Sequence, residues 1–171
     1  MDRDALYIAD RHKKEFTYPI HCHNVCELNF VEHAEGVRRI VGDSNEVIGD
    51  FDLVLITSPD LEHVWEQADC KSDDIREITI QFDFGMTEDS IFTKTPLLSI
   101  HKMLLEARKG IAFPISTIIK VYDKLDTIGQ QTDKYKAFMQ FVDILHTLSV
   151  SEGAHTLATS SYAKVEIEDD S

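Results

Sequence analysis

The sequence predicts an antiparallel β-barrel followed by a small bundle of about three helices. Three observations carry that expectation. Short β-rich runs punctuated by turn residues fill the stretch from Phe16 to Phe84. The apolar period switches from strand-like to helical after about residue 95. Finally, His21-Cys22-His23-Asn24-Val25-Cys26-Glu27 and the distant His63 carry residue types that act together, and a barrel-like β fold brings them together most easily.

The β runs are Phe16 to His23, Glu27 to Val31, Val37 to Val41, Leu53 to Ile56, His63 to Glu66 and Ile75 to Phe82. The last alternates Ile78, Ile80 and Phe82 with Glu77, Thr79 and Gln81, the period of a strand with unlike faces. Gly36, Gly42-Asp43-Ser44-Asn45, Gly49-Asp50 and Ser58-Pro59-Asp60 supply turns at the spacing of antiparallel sandwiches and barrels. Thr95-Pro96 reads as an N-cap with proline in the first helical position, and the helix it opens ends at Arg108-Lys109-Gly110. A second helix is expected from about Ile115 to Ile128, with Ile118, Tyr122 and Leu125 on one stripe and Gly129 as its C-cap. Thr132 or Asp133 opens a third. Its apolar residues (Tyr135, Phe138, Met139, Phe141, Val142, Ile144, Leu145, Leu148) exceed what one stripe holds, so a homodimer through this helix is expected, against the alternative of a helix buried wholly in its own domain.

The expected organisation is an N-terminal arm over 1–15, a barrel over 16–94, a helical dimerisation region over 95–152 and a linker over 153–171. The arm either folds over the pocket or frays. With 171 residues and 43% hydrophobic content the chain is expected to bury a real core, not to remain disordered. Its net charge of −14 argues against binding nucleic acid through this chain itself. No apolar run approaches the roughly 20 residues of a membrane span, and the acidic N-terminus does not resemble a signal peptide, so a cytoplasmic location is expected. Three cysteines, Cys22, Cys26 and Cys70, without a C-x-x-C pair argue for reduced thiols.

On an extended strand His21 and His23 share one face, roughly 6.6 Å apart. With Glu27 and His63 they make three imidazoles and one carboxylate. That set suits Zn²⁺, Fe²⁺, Mn²⁺ or Ni²⁺ with open coordination positions. Without a metal, the same groups form a polar floor for a small ligand, with Asn29 lining the interior and Trp65 a candidate stacking wall. Residue chemistry leaves both readings open.

H-x-H followed by a glutamate, with a later histidine, resembles the motifs of cupin barrels (the double-stranded β-helix, or jelly roll). More narrowly, the ordered set His21-x-His23-x-x-x-Glu27-Leu28, Gly42-Asp43-Ser44, Asp52-Leu53-Val54-Leu55-Ile56, His63-Val64-Trp65, Arg76-Glu77-Ile78-Thr79-Ile80-Gln81-Phe82 and Ser99-Ile100-x-Lys102-Met103 is similar to the N-terminal sensory domain of AraC-type transcriptional regulators, over roughly residues 16 to 165. The resemblance implies a barrel that binds a small-molecule effector, sugars being the commonest theme, helices that dimerise, and DNA contact through a C-terminal helix-turn-helix region that this chain lacks. It implies a sensor and not an enzyme. Departures from the general cupin pattern are Glu15 in place of a glycine, Ser58-Pro59-Asp60-Leu61-Glu62 before the second-motif histidine, and Gln67 in place of an asparagine. The rival reading is a small metal-dependent cupin enzyme, a dioxygenase or isomerase.

Overall fold

In a computed structural model, residues 5–13, 26–84 and 89–160 are described. Among them, nine strands form two antiparallel sheets, accompanied by three α-helices. The strands are β1 (Leu6–Lys13), β2 (Cys26–Glu32), β3 (Arg38–Val41), β4 (Ser44–Val47), β5 (Asp52–Ile56), β6 (His63–Glu66), β7 (Ile75–Phe82), β8 (Ile111–Ala112) and β9 (His155–Thr156). One sheet has the order β1-β7-β2-β5-β8-β9, the other β4-β3-β6. The expected strand from Phe16 to His23 lies outside the described residues.

Strand alternation sorts the side chains into two cores. On one face of the larger sheet Leu28, Phe30, Leu53, Leu55, Ile78, Ile80 and Phe82 pack against the helices. On the other face Val31, Val54, Ile56 and Ile75 join Val41 and Trp65 of the smaller sheet, so the second core lies between the sheets. The central strands are therefore apolar on the helix face apart from Glu32 and Arg76 at one end, while the face towards the smaller sheet also carries Glu27, Asn29, Asp52, Glu77, Thr79 and Gln81.

The first helix, α1, spans Leu98–Glu106, two residues later than the sequence suggests. Capping chemistry has gone elsewhere: Ser90 accepts from the Phe92 N–H and opens a 3-10 turn at Ile91–Thr93, while Thr95-Pro96 is a cis junction in the segment between. A 3-10 turn at Ala107–Lys109 follows α1 and ends at Gly110. Helix α2 runs Ile115–Ile128 and buries Ile118, Val121, Leu125 and Ile128. Helix α3, Lys134–Ser149, starts where the Asp133 carboxylate accepts the Lys136 N–H at 3.0 Å.

The apolar surplus of α3 is largely absorbed within the chain. Phe141, Ile144, Leu145 and Leu148 are buried in the helix-side core. Phe138 meets Phe84 at a 5.5 Å ring separation, and Val142 packs on the same core. Only Tyr135 and Met139 of the expected interface set are exposed. The reason is geometric: α3 packs against the sheet and has α1 and α2 as neighbours, so several of its faces are covered.

Two further segments differ from expectation. Leu6–Lys13, read as an arm, is an edge strand paired with β7 over its full length. Arg76 of β7 locks it: its Nε and Nη2 donate to Asp10 at 3.0 and 2.8 Å, while Nη1 and Nη2 donate to the Asp126 carboxylate and carbonyl of α2. These acceptors push the Arg76 pKa up, the Asp10 hydrogen bonds most of all. Residues 155–156, read as linker, form β9 against β8. A two-residue strand paired through its backbone carries no apolar alternation to betray it.

Candidate functional site

The face of the larger sheet that looks towards β3 and β6 holds a tiered set of buried polar side chains. Register places Glu27 beside Gln81, Asn29 beside Thr79 and Val31 beside Glu77. On the other flank of β2, Glu27 pairs with Ile56, Asn29 with Val54 and Val31 with Asp52. His63 and Trp65 enter from β6, opposite Val41 and Arg39 of β3.

In the first tier His63 and Glu27, 1% and 4% exposed, meet with Nε2 2.9 Å from Oε2. His63 Nδ1 lies 3.0 Å from the Leu61 carbonyl, which can only accept, so Nδ1 carries a proton. A hydrogen bond between Nε2 and Glu27 needs a second proton, on the ring or on the carboxyl. The His63 and Trp65 rings meet edge to face, 6.1 Å apart.

In the second tier Asn29 Nδ2 donates to Thr79 Oγ1 at 3.1 Å and to Glu77 Oε2 at 3.3 Å. A carboxylate accepts only, which fixes the amide orientation and leaves Asn29 Oδ1 buried without a hydrogen-bond partner. Lys13 Nζ approaches the other Glu77 oxygen at 2.7 Å.

The third tier is an ion pair. Asp52 accepts from Arg39 Nη1 and, at 3.3 Å, from the Trp65 indole N–H, while Arg39 Nη2 reaches Glu46 at 3.4 Å. Burial pushes the Asp52 carboxyl up, against the opposing pull of Arg39. Trp65, expected as a stacking wall, is thus held by its nitrogen, with its ring plane near-perpendicular to that of His63. Arg39 Nε is buried and unpartnered.

Of the residues expected from sequence, Glu27, Asn29, His63 and Trp65 share this interior, whereas His21 and His23 lie outside the described residues, as does Cys22. Among the described residues no group of three or more His, Cys, Asp or Glu could hold a metal ion. Glu27 and His63 supply two of the four expected ligands, and their donor chemistry fits: with Nδ1–H held by Leu61, Nε2 is the nitrogen turned towards Glu27. Sequence reasoning missed Arg39, Asp52 and Lys13. Asp52 heads an apolar run and Arg39 sits in an Arg-Arg pair, patterns that fit exposed strand ends equally well.

Cys26, half-buried, and Cys70, buried, are free cysteines among the described residues. Burial, with help from Asp83, pushes the Cys26 thiol up to about 11. No described helix is long and apolar enough to cross a membrane.

No known family profile matches the chain, and no curated protein does. Solved structures do. Apo ToxT from Vibrio cholerae carrying a single substitution aligns with a TM-score of 0.50 at 10% identity, covering 98% of this chain and 60% of that one. A second ToxT crystal form from Vibrio cholerae aligns at 0.47 and 10%, covering 98% and 61%. ToxT from the same organism bound to (E)-4-(8-methylnaphthalen-1-yl)but-3-enoic acid aligns at 0.46 and 10%, covering 85% and 56%. The chain thus spans about 60% of the length of these structures, and the likeness is one of fold: antiparallel β sheets followed by three helices.

Proposed function

We propose that this chain is the effector-sensing part of an AraC-type transcriptional regulator and that its effector is a small molecule held between the two sheets. The observation that carries this is the buried polar interior, in which the Glu27–His63 pair stands beside Asn29, whose Oδ1 has no partner. A protein stabilised only by packing gains nothing from an orphaned buried acceptor, which costs about 1–3 kcal/mol. A ligand hydroxyl or N–H that donates to Asn29 Oδ1 removes that cost. The ordered sequence motifs and the fold shared with ToxT, itself an AraC-family regulator, support the same reading. Regulation without turnover follows from it, with DNA contact made by a separate region. Two copies would associate through exposed apolar residues of the helices, Ile115 and Ile119 of α2 with Tyr135 and Met139 of α3.

Thermal unfolding against a panel of monosaccharides and organic acids tests the proposal. A true effector at a hundred times its Kd adds about 2.7 kcal/mol of stability, and Asn29→Ala is expected to abolish the shift. Absence of any shift across the panel at millimolar concentrations, or a shift that survives Asn29→Ala, counts against the site. The orientation of His63 by Leu61 favours a second reading of the same pair, as ligands to Zn²⁺, Fe²⁺, Mn²⁺ or Ni²⁺ together with His21 and His23. Elemental analysis of protein purified without added metal, before and after His63→Ala, decides it. Substrate turnover by metal-loaded protein, lost on Glu27→Gln, would favour a cupin enzyme instead.

A further inference from the structure

The segment after α3 runs back over the fold and is held at every step. Thr156 and His155 pair with Ile111 and Ala112 of β8. The Leu157 N–H donates to the Gly110 carbonyl at 2.9 Å and the Ala158 N–H to the Lys109 carbonyl at 2.8 Å. Thr159 then reaches the β3–β4 turn, where its N–H and hydroxyl donate to the two oxygens of Asp43 at 2.9 and 2.5 Å. Those two bonds hold the Asp43 carboxyl below its ordinary value. Residues 155–159 are therefore a strap from the edge of the larger sheet to a hairpin of the smaller one.

The strap also touches the residues that position the Glu27–His63 pair. Ala158 is buried in the core between the sheets, and Leu157 packs against it. Gly110, at φ +72°, marks the junction: a Cβ there would lie 2.9 Å from Val41 Cγ1 and 3.6 Å from both Leu157 Cδ1 and Leu61 Cδ2. Leu61 supplies the carbonyl that orients His63, and Val41 is the register partner of His63 across β3 and β6. One layer of side chains thus separates the buried pair from the strap. The core there is close-packed, so displacement of the His63 ring cannot be absorbed without moving Leu61 or Val41.

We propose that the 155–159 strap is the output element of the interior: the state of the Glu27–His63 pair sets how firmly the strap is docked on Asp43. The proposal rests on the effector reading above and deepens it by naming how occupancy of that interior is passed on. Coupling of this kind is reciprocal, so loosening the strap must also be felt at His63.

Amide exchange followed by NMR on the whole chain tests both directions without a ligand. In Glu27→Ala, exchange at Leu157, Ala158 and Thr159 is expected to rise roughly fivefold relative to Ile144 and Leu145 of α3, a size typical of side-chain coupling networks. In Thr159→Val, which removes the hydroxyl bond to Asp43 at an exposed position, the His63 ring resonances are expected to shift while the α3 amides keep their protection. An unchanged strap-to-α3 ratio in folded Glu27→Ala, or unmoved His63 resonances in Thr159→Val, overturns the proposal. Should Glu27→Ala not fold, the Thr159→Val arm decides alone. Failure here leaves the effector reading to its own thermal-shift test.

Discussion

Phe141→Ala separates the two roles open to α3, core packing and an interface between copies. The ring is fully buried and packs against Phe82 and Phe84 at 4.9 and 5.9 Å. Removing a buried phenylalanine costs about 3–5 kcal/mol through lost transfer energy and the cavity left behind, and the two aromatic contacts place this site in the middle of that range, about 4 kcal/mol. With a urea m-value of about 2 kcal/mol per molar for a domain of this size, the unfolding midpoint falls by about 2 M. Tyr135→Ala, at a position 72% exposed, is expected to stay within about 0.5 kcal/mol of the wild type. The assay is urea unfolding followed by fluorescence, with light scattering on each variant. Phe141→Asp is expected to give unfolded protein, because it buries an unpaired carboxylate. A soluble, folded Phe141→Asp monomer, or a Phe141→Ala midpoint within about 0.5 M of the wild type, would refute the placement of this side chain in its own core.

Arg76→Leu leaves Asp10 and Asp126 without their shared cation and is expected to cost about 3 kcal/mol, at the low end for a broken buried pair because Asp126 is partly exposed. Amide exchange across β1 and β7 reads it, and full protection of β1 in that variant would contradict the lock. Gly110→Ala forces a Cβ to within 2.9 Å of Val41 at a positive φ, and a loss of about 1–3 kcal/mol in chemical denaturation is expected. Cys26, raised from 9.0 to about 11, carries about a hundredfold less thiolate than an ordinary cysteine at pH 8, so its alkylation in the folded chain is expected to be slower by at least about that factor than after unfolding. The same shift has a stability consequence: the fold holds the thiol protonated, so its contribution is fully present below pH 9 and is lost as pH rises through about 11.

The class of fold, the strands at His63–Glu66 and Ile75–Phe82 and the helix at Ile115–Ile128 are legible in the residues alone, because these carry strong periodicity bounded by turn or cap residues. The sequence also singled out Glu27 and His63, whose residue types are unusual inside a β-rich run. The tertiary structure alone decided that Leu6–Lys13 is a sheet edge, since its half-exposed pattern resembles that of a solvated tail until β7 and Arg76 are present to pair with it. Likewise only the fold turns Arg39 and Asp52 inward, where the paired charges offset a burial that neither could sustain alone. The third helix shows the same limit from the other side. Its apolar residues are visible in the sequence, but how many neighbours cover them depends on three-dimensional packing, and here the sheet, α1 and α2 cover most of what a lone stripe would have left exposed. Residues 155–159 mark the far end of that scale: short and without periodicity, they are fixed by hydrogen bonds to partners more than forty positions away, and local sequence carries no trace of contacts made at that range.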